Sequence, residues 1–342
     1  MGVRVPFQLE GAFHGPMSAY AGTSPAAANV IKLREDTGRE CIFGGQKISS
    51  PAGVGGMGLR LPQSYQYRQG RQGAAGKLSF ELTPLALRDF MLLLWQGNIT
   101  DNTTHYSIGL DTDPTPDNYA EIQGLFDRTA GEFVGWQAQS CVPTALRLTI
   151  PTSDPDSEGA ICTGEMDFIG RNGARLETVP SNLSYATNTV DNSAELFGHD
   201  CRWELAGTFR NALSGSLNLT SGYKLSSESA SDGSDYSPRI IGSSWGYDGK
   251  VTVFMTGDEG DVDLNDAYEA NSLTSVRLEF NATTHYYDLP CKITDRGKPS
   301  EVAGGIAIEY TFAAATSDDG STTVPDIAVP KSTGGSTASP YI

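Results

Sequence analysis

The chain has 342 residues, with 41 acidic and 24 basic side chains and a formal net charge of −17. That balance excludes a free-standing nucleic-acid binder, which needs a basic face to displace counterions from phosphate, and argues against docking on anionic lipid. With 39 glycines, 18 prolines and only 19% charged residues, the composition suits many short strands joined by turns, over a length that fits two domains or one large one.

Residues 1–40 are rich in Ala, Gly and Pro and read as an arm. The opening MGVRVPFQLEG has no apolar signal core, and the longest apolar run, Phe90 to Trp95, is far too short to span a bilayer; the chain reads as soluble and made in the cytosol. The first clean strand alternates Leu78, Phe80 and Leu82 with Lys77, Ser79 and Glu81. A helix is expected next, over TPLALRDFMLLLWQG, with Thr83 as cap, Pro84 in the first turn and Gly97 as the stop. Leu146, Leu148 and Ile150 form another alternating strand. The polar stretch 181–194 reads as a linker and 226–237 as a long loop. Further strands alternate through Val276–Phe280, Tyr287–Ile293 and Ile306–Phe312, with a second, weaker helix expected after a cap at Asp263. From Thr316 onward Ser, Thr, Gly and Pro predict a flexible tail.

These elements recur in order. Gly76-Lys77 opens a strand, the first helix follows, then HYSIGL and FVGWQAQSC. Gly249-Lys250 opens KVTVFM, the second helix follows, then SVRLEF, HYYDLPCKI and GGIAIEYTF. Cys141 and Cys291 end equivalent strands, which suggests an internal duplication.

Carried on KLSFELTPLALRDFMLLLWQG, FVGWQAQSC, TALRLTI, GYDGKVTVFMTGDEGD, HYYDLPCKITDRG and GGIAIEYTF, this order resembles the major tail tube proteins of long-tailed, siphovirus-like bacteriophages. The resemblance implies a mainly β fold: two tandem antiparallel β-sandwich tail-tube modules, each with a flanking α-helix. The expected boundaries are an arm at 1–40, module 1 at 41–180, a linker at 181–194, module 2 at 195–315 and a tail at 316–342. It implies a structural virion protein, not an enzyme, without cofactors. Three chains would form a ring of pseudo-sixfold symmetry, and rings would stack into a hollow tube that conducts DNA into the host. Implied partners are further copies of the chain and the tape measure, tail terminator and distal tail proteins. DNA would pass without specific binding, no membrane would be involved, and assembly would occur in the host cytoplasm. A negative channel wall would keep DNA from adhering, with Asp111, Asp113, Asp117, Asp154, Asp156, Glu158, Asp258, Glu259 and Asp261 as candidate lumen-facing residues.

Other motifs compete. Gly242-Ser243-Ser244-Trp245-Gly246 fits G-x-S-x-G, with Asp266 and His285 in hydrolase order, but a turn and strand follow where that chemistry needs a helix. Asp154, Asp156, Glu158 and Glu165 imitate a calcium loop, but strand patterns flank them. His14, His105, His199 and His285 are scattered, and His105 and His285 suit exposed strand starts. The five cysteines, Cys41, Cys141, Cys162, Cys201 and Cys291, show no CxxC and read as isolated reduced thiols. Five N-x-S/T sequons, at Asn98, Asn102, Asn182, Asn218 and Asn281, fit a Ser/Thr-rich chain. The alternative function is a β-sandwich carbohydrate-binding or adhesin-like surface protein, using Tyr65, Tyr67, Trp136, Trp245, Tyr247, Tyr286 and Tyr287 as a sugar platform.

Overall fold

A computed structural model describes residues 9–17, 28–31, 42–43, 47–50, 66–69, 74–95, 99–109, 119–128, 132–151, 161–176, 189–190, 195–225, 240–242, 244–257, 259–280, 285–302, 305–315 and 325–330. The elements are β1 (Leu9–Met17), β2 (Ala28–Ile31), β3 (Ile42–Phe43), β4 (Lys47–Ser50), β5 (Gln66–Gln69), β6 (Ala74–Glu81), α1 (Pro84–Trp95), β7 (Ile99–Asp101), β8 (His105–Ile108), β9 (Tyr119–Arg128), β10 (Glu132–Ile150), β11 (Thr163–Leu176) and β12 (Thr189–Val190). They continue as β13 (Cys201–Leu205), β14 (Thr208–Arg210), β15 (Ala212–Thr220), β16 (Lys224–Leu225), β17 (Ile240–Ile241), β18 (Gly246–Phe254), α2 (Glu259–Glu269), β19 (Thr274–Phe280), β20 (Tyr286–Arg296), β21 (Ser300–Val302), β22 (Gly305–Ala314) and β23 (Asp326–Pro330). The fold is mostly β, and nearly every ladder is antiparallel.

One run of strands organises it. β6 pairs with β11, and β11 with β10. The other edge of β10 is shared: β9 lies along Glu132–Cys141 and β15 along Ala145–Ile150. β15 then pairs with β18, β18 with β22, and β22 with β20. β3 touches β6 at Ala74 and Ala75. The change of partner on β10 falls at an irregular stretch, with Ser140 at a positive φ of 50° and register shifts on either side.

The two wings of this run match in pairing. β11 lies between β6 and β10, and β22 lies between β18 and β20. Phe168 faces both Gly76 and Pro143, and Phe312 faces both Gly249 and Ile293. Directly beyond, β10 bulges between Pro143 and Ala145, and β20 bulges between Ile293 and Asp295. The bulged residue is a threonine each time. Thr144 Oγ1 donates to the Asp167 carbonyl at 3.3 Å, and Thr294 Oγ1 to the Thr311 carbonyl at 3.3 Å.

Period-two alternation places the apolar residues on one face. Leu78, Phe80, Met166, Phe168, Leu146, Leu148, Leu217, Leu219, Val251, Val253, Ile308, Tyr310 and Phe312 are buried there, and both wings contribute to one contiguous core. α1 packs on β10 and β23, and α2 on β20. The expected cap of α1 is in place, with the Ala86 N–H donating to Thr83 Oγ1 at 3.1 Å. Ring contacts tie α1 to the sheet, Phe90 on Phe80 at 4.7 Å and Trp95 on Trp245 at 5.2 Å.

Several expectations change. α2 begins at Glu259, so Asp263 lies inside the helix and does not cap it. Asp261, in the first turn, instead ties the preceding segment to the helix: its Oδ2 accepts from the N–H groups of Thr256 and Gly257 at 2.9 and 2.7 Å. The arm contains β1, paired along most of its length with β9, and the linker contains β12, paired in parallel with β2. The tail contains β23, whose Ile327, Ala328 and Val329 are fully buried between β20 and β8; tertiary burial orders a segment that composition marks as flexible. His285 is buried, not at an exposed strand start. Cys162 and Cys201 are not isolated, their sulfurs lying 3.7 Å apart.

Candidate functional site: the polar face of the joined sheet

Opposite the core, the same strands present a polar face in continuous rows. One row runs Ser79, Glu165, Arg147, Asn218, Asp248, Ala313, Lys292; the next runs Glu81, Thr163, Thr149, Ser216, Lys250, Thr311, Asp295. Alternation dictates this up to β20, where each of these residues flanks a buried neighbour on its strand; Asp295 follows the bulge and sits between exposed Thr294 and half-buried Arg296.

Ion pairs cross this face. Lys77 meets Glu165 at 2.9 Å, and Arg147 meets Asp167 at 2.7 Å. The Asp167 carboxylate, accepting from the guanidinium, raises the Arg147 pKa further above its ordinary range. Asn218 Nδ2 donates to Asp248 at 2.9 Å, and Lys250 meets Glu309 at 3.3 Å. The Lys77–Glu165 and Lys250–Glu309 pairs occupy matching diagonals: Lys77 stands one residue past Gly76 and Lys250 one past Gly249, and their acidic partners sit on β11 and β22 three residues before Phe168 and Phe312. Chemically the face is a lattice of mixed sign. Among the described residues, its Lys77, Arg147 and Lys250 each meet a carboxylate, which weakens their pull on phosphate, and its hydroxyls and amides keep it wet.

The acidic candidates fare differently. Asp111, Asp113, Asp117, Asp154, Asp156, Glu158 and Asp258 lie outside the described residues, and Glu259 is placed only as the first residue of α2. Asp261 is 4% exposed and its carboxylate lies 3.8 Å from buried Arg210, so it is an internal structural group and not a surface charge. The residues the loop-based reading missed are Lys77, Arg147, Glu165, Asp167, Lys250 and Glu309. Their signal was the polar half of the alternation, visible in each strand but not assignable to a shared face until the strands were paired.

The competing motifs do not come together. Ser244 is exposed, whereas His285 is buried with its ring 4.7 Å from Phe280 and 6.0 Å from Tyr287. Burial holds that imidazole neutral, with a pKa lowered to about 3. Glu165, the closing ligand of the calcium-like spacing, is bound by Lys77. Among the described residues no cluster of three His, Cys, Asp or Glu lies together as a metal site, and no helix is long and apolar enough to cross a membrane. Among the described residues the aromatic candidates are engaged within the fold: Tyr287 is buried, Trp245 packs on Trp95 and Tyr223, and the Tyr247 hydroxyl donates to the Pro290 carbonyl. Tyr286 is held under Arg277 and donates to Asp326 at 2.7 Å. Tyr65 lies outside the described residues, and the side chains of Tyr67 and Trp136 are not among those described.

No curated protein matches the chain. The family model described as phage tail tube protein matches residues 59–332, a span from just before β5 to just past β23 that takes in both helices and every strand from β5 onward, leaving β1 to β4 outside it. With most of its length matched to that model, the chain belongs to the phage tail tube protein family, whose role in the virion tail is structural.

Proposed function

We propose that this chain is a duplicated tube module that assembles as three copies per ring, with pseudo-sixfold symmetry, and that rings stack into the hollow tail through which DNA is ejected. The observation that carries the reading is the matched pair of wings: the same strand order, the same bulged threonine and the same Lys–Glu diagonal occur on each side of the β10–β15 joint. Two equivalent units side by side in one sheet are what a ring of six units built from three chains requires.

In that ring the polar face of the joined sheet lines the channel and the helices lie outside it. DNA slides past because the wall's cations are already paired; the acidic loops outside the described residues would add to the repulsion. The tape measure, terminator and distal tail proteins meet the ends of the stack, and assembly takes place in the host cytoplasm. Module boundaries near 41–180 and 195–315 fit this reading, with β12 between them. Negative-stain microscopy of the purified full chain should show rings or tubes with a central channel. A monomer at high concentration that never polymerises would sink the proposal.

A further inference from the structure

The tube reading leaves open how one copy meets the next, and the sheet contains a worked example of that joint. Within the chain, β15 closes the outer edge of β10 along Ala145–Ile150, with Arg147 opposite Asn218. The matching place on the second wing is Gly297. Its N–H donates to the Glu309 carbonyl at 2.8 Å, as Arg147 pairs with Glu165 on the first wing. On that edge no strand faces Gly297 among the described residues, and Thr294, Asp295, Lys298, Pro299, Ser300 and Glu301 are exposed.

The matching donor is also in the chain. Asn218 of β15 lies opposite Asp248, one residue before Gly249. Ile42 of β3 lies opposite Ala75, one residue before Gly76. β3 therefore stands to β6 as the end of β15 stands to β18. We propose that β3 of a second copy of this chain pairs antiparallel with the edge at Thr294–Lys298, with Ile42 opposite Gly297 and Phe43 opposite Arg296, so that the joint between copies repeats the joint within each copy. The proposal rests on the tube reading and supplies its contact surface.

The two joints differ in chemistry. The in-chain joint buries Leu146, Leu148 and Ile150; the positions that follow the bulge on β20 carry Arg296, Lys298 and Ser300. A charged edge bearing Lys298 and Pro299 resists casual pairing between free chains. The in-chain joint thus forms with the fold, and the joint between copies forms where ring geometry holds both edges in place.

The test uses the full-length chain with Cys41→Ser as background and Ile42→Cys combined with Gly297→Cys. Because the Gly297 N–H already points toward β22, where it donates to the Glu309 carbonyl, its outward pairing is of the non-hydrogen-bonded kind, with a Cα separation of about 4.5 Å that admits a disulfide. Light and heavy-isotope chains are mixed, assembled and oxidised, and the linked peptides are read by mass spectrometry. The expected result is a 42–297 link joining light to heavy chains, on the order of tenfold above a control pairing Ile42→Cys with Ser272→Cys. Tubes that form without that link, or with the link only inside one chain, would overturn the joint and leave the tube reading standing. Wild-type chains that never polymerise would overturn both.

Discussion

Thr144 and Thr294 do the same work on opposite wings of one sheet: each occupies a bulge and donates its hydroxyl to a carbonyl of the neighbouring strand at 3.3 Å. A bulge leaves a residue outside the ladder, and a side chain that bonds across to the next strand fixes its position. The register of Glu165 against Arg147, and of Glu309 against Gly297, follows directly beyond each bulge.

Replacing Thr144 with Val keeps the shape and removes the hydrogen bond. Thr144 is half-buried, so the expected cost is about 1 kcal/mol in a denaturant titration. Thr294→Val, at an exposed position, should cost less than half as much. Equal effects would show that solvent does not discriminate the two bulges.

Asp261→Ala should be far more damaging. It removes the acceptor of two backbone N–H groups and leaves the Arg210 guanidinium, 3% exposed at its side chain, without this carboxylate. Removing one partner of a buried ion pair costs about 3–5 kcal/mol, so the midpoint of unfolding should fall sharply. A change under about 1 kcal/mol would place Asp261 at the surface after all.

His285 gives the fold an acid limit. Its folded pKa, about 3, lies below the ordinary 6.5 because burial disfavours the imidazolium. The unfolded chain therefore binds a proton that the folded chain refuses between those values. Stability falls as pH drops through that window, by up to about 1.4 kcal/mol per unit from this group. His285→Phe, in a site already walled by Phe280 and Tyr287, should flatten the pH dependence of unfolding between pH 6 and 4. An unchanged slope would exclude His285 as its source.

Gly249 is fixed by close approach. A Cβ there would run into the Ser216 carbonyl and the Phe312 ring, on the two strands that flank β18. Gly249→Ala should cost about 1–3 kcal/mol, measured by thermal unfolding. Gly257, with a φ of 75° and open space around it, marks the contrasting case in which backbone conformation alone favours glycine.

Much of this was legible in the sequence because it is local. Period-two alternation marked the inward side chains of β6 and β19 and, from Ile308 to Phe312, of β22, where Ile306 is exposed and Ala307 is buried in its place; Thr83-Pro84 marked the start of α1. The Gly-Lys pairs lie inside β6 and β18 and not at their starts, because each strand begins earlier; the order of elements after them still pointed to the tail tube family. What only the tertiary structure decided depends on partners distant in the chain. β23 is a strand because β8 and β20 flank it, Asp261 is internal because Arg210 reaches it, and the polar residues form one face because β15 joins the two wings. Alternation tells a strand which side to bury; the neighbour it pairs with is set by the packing of the whole core.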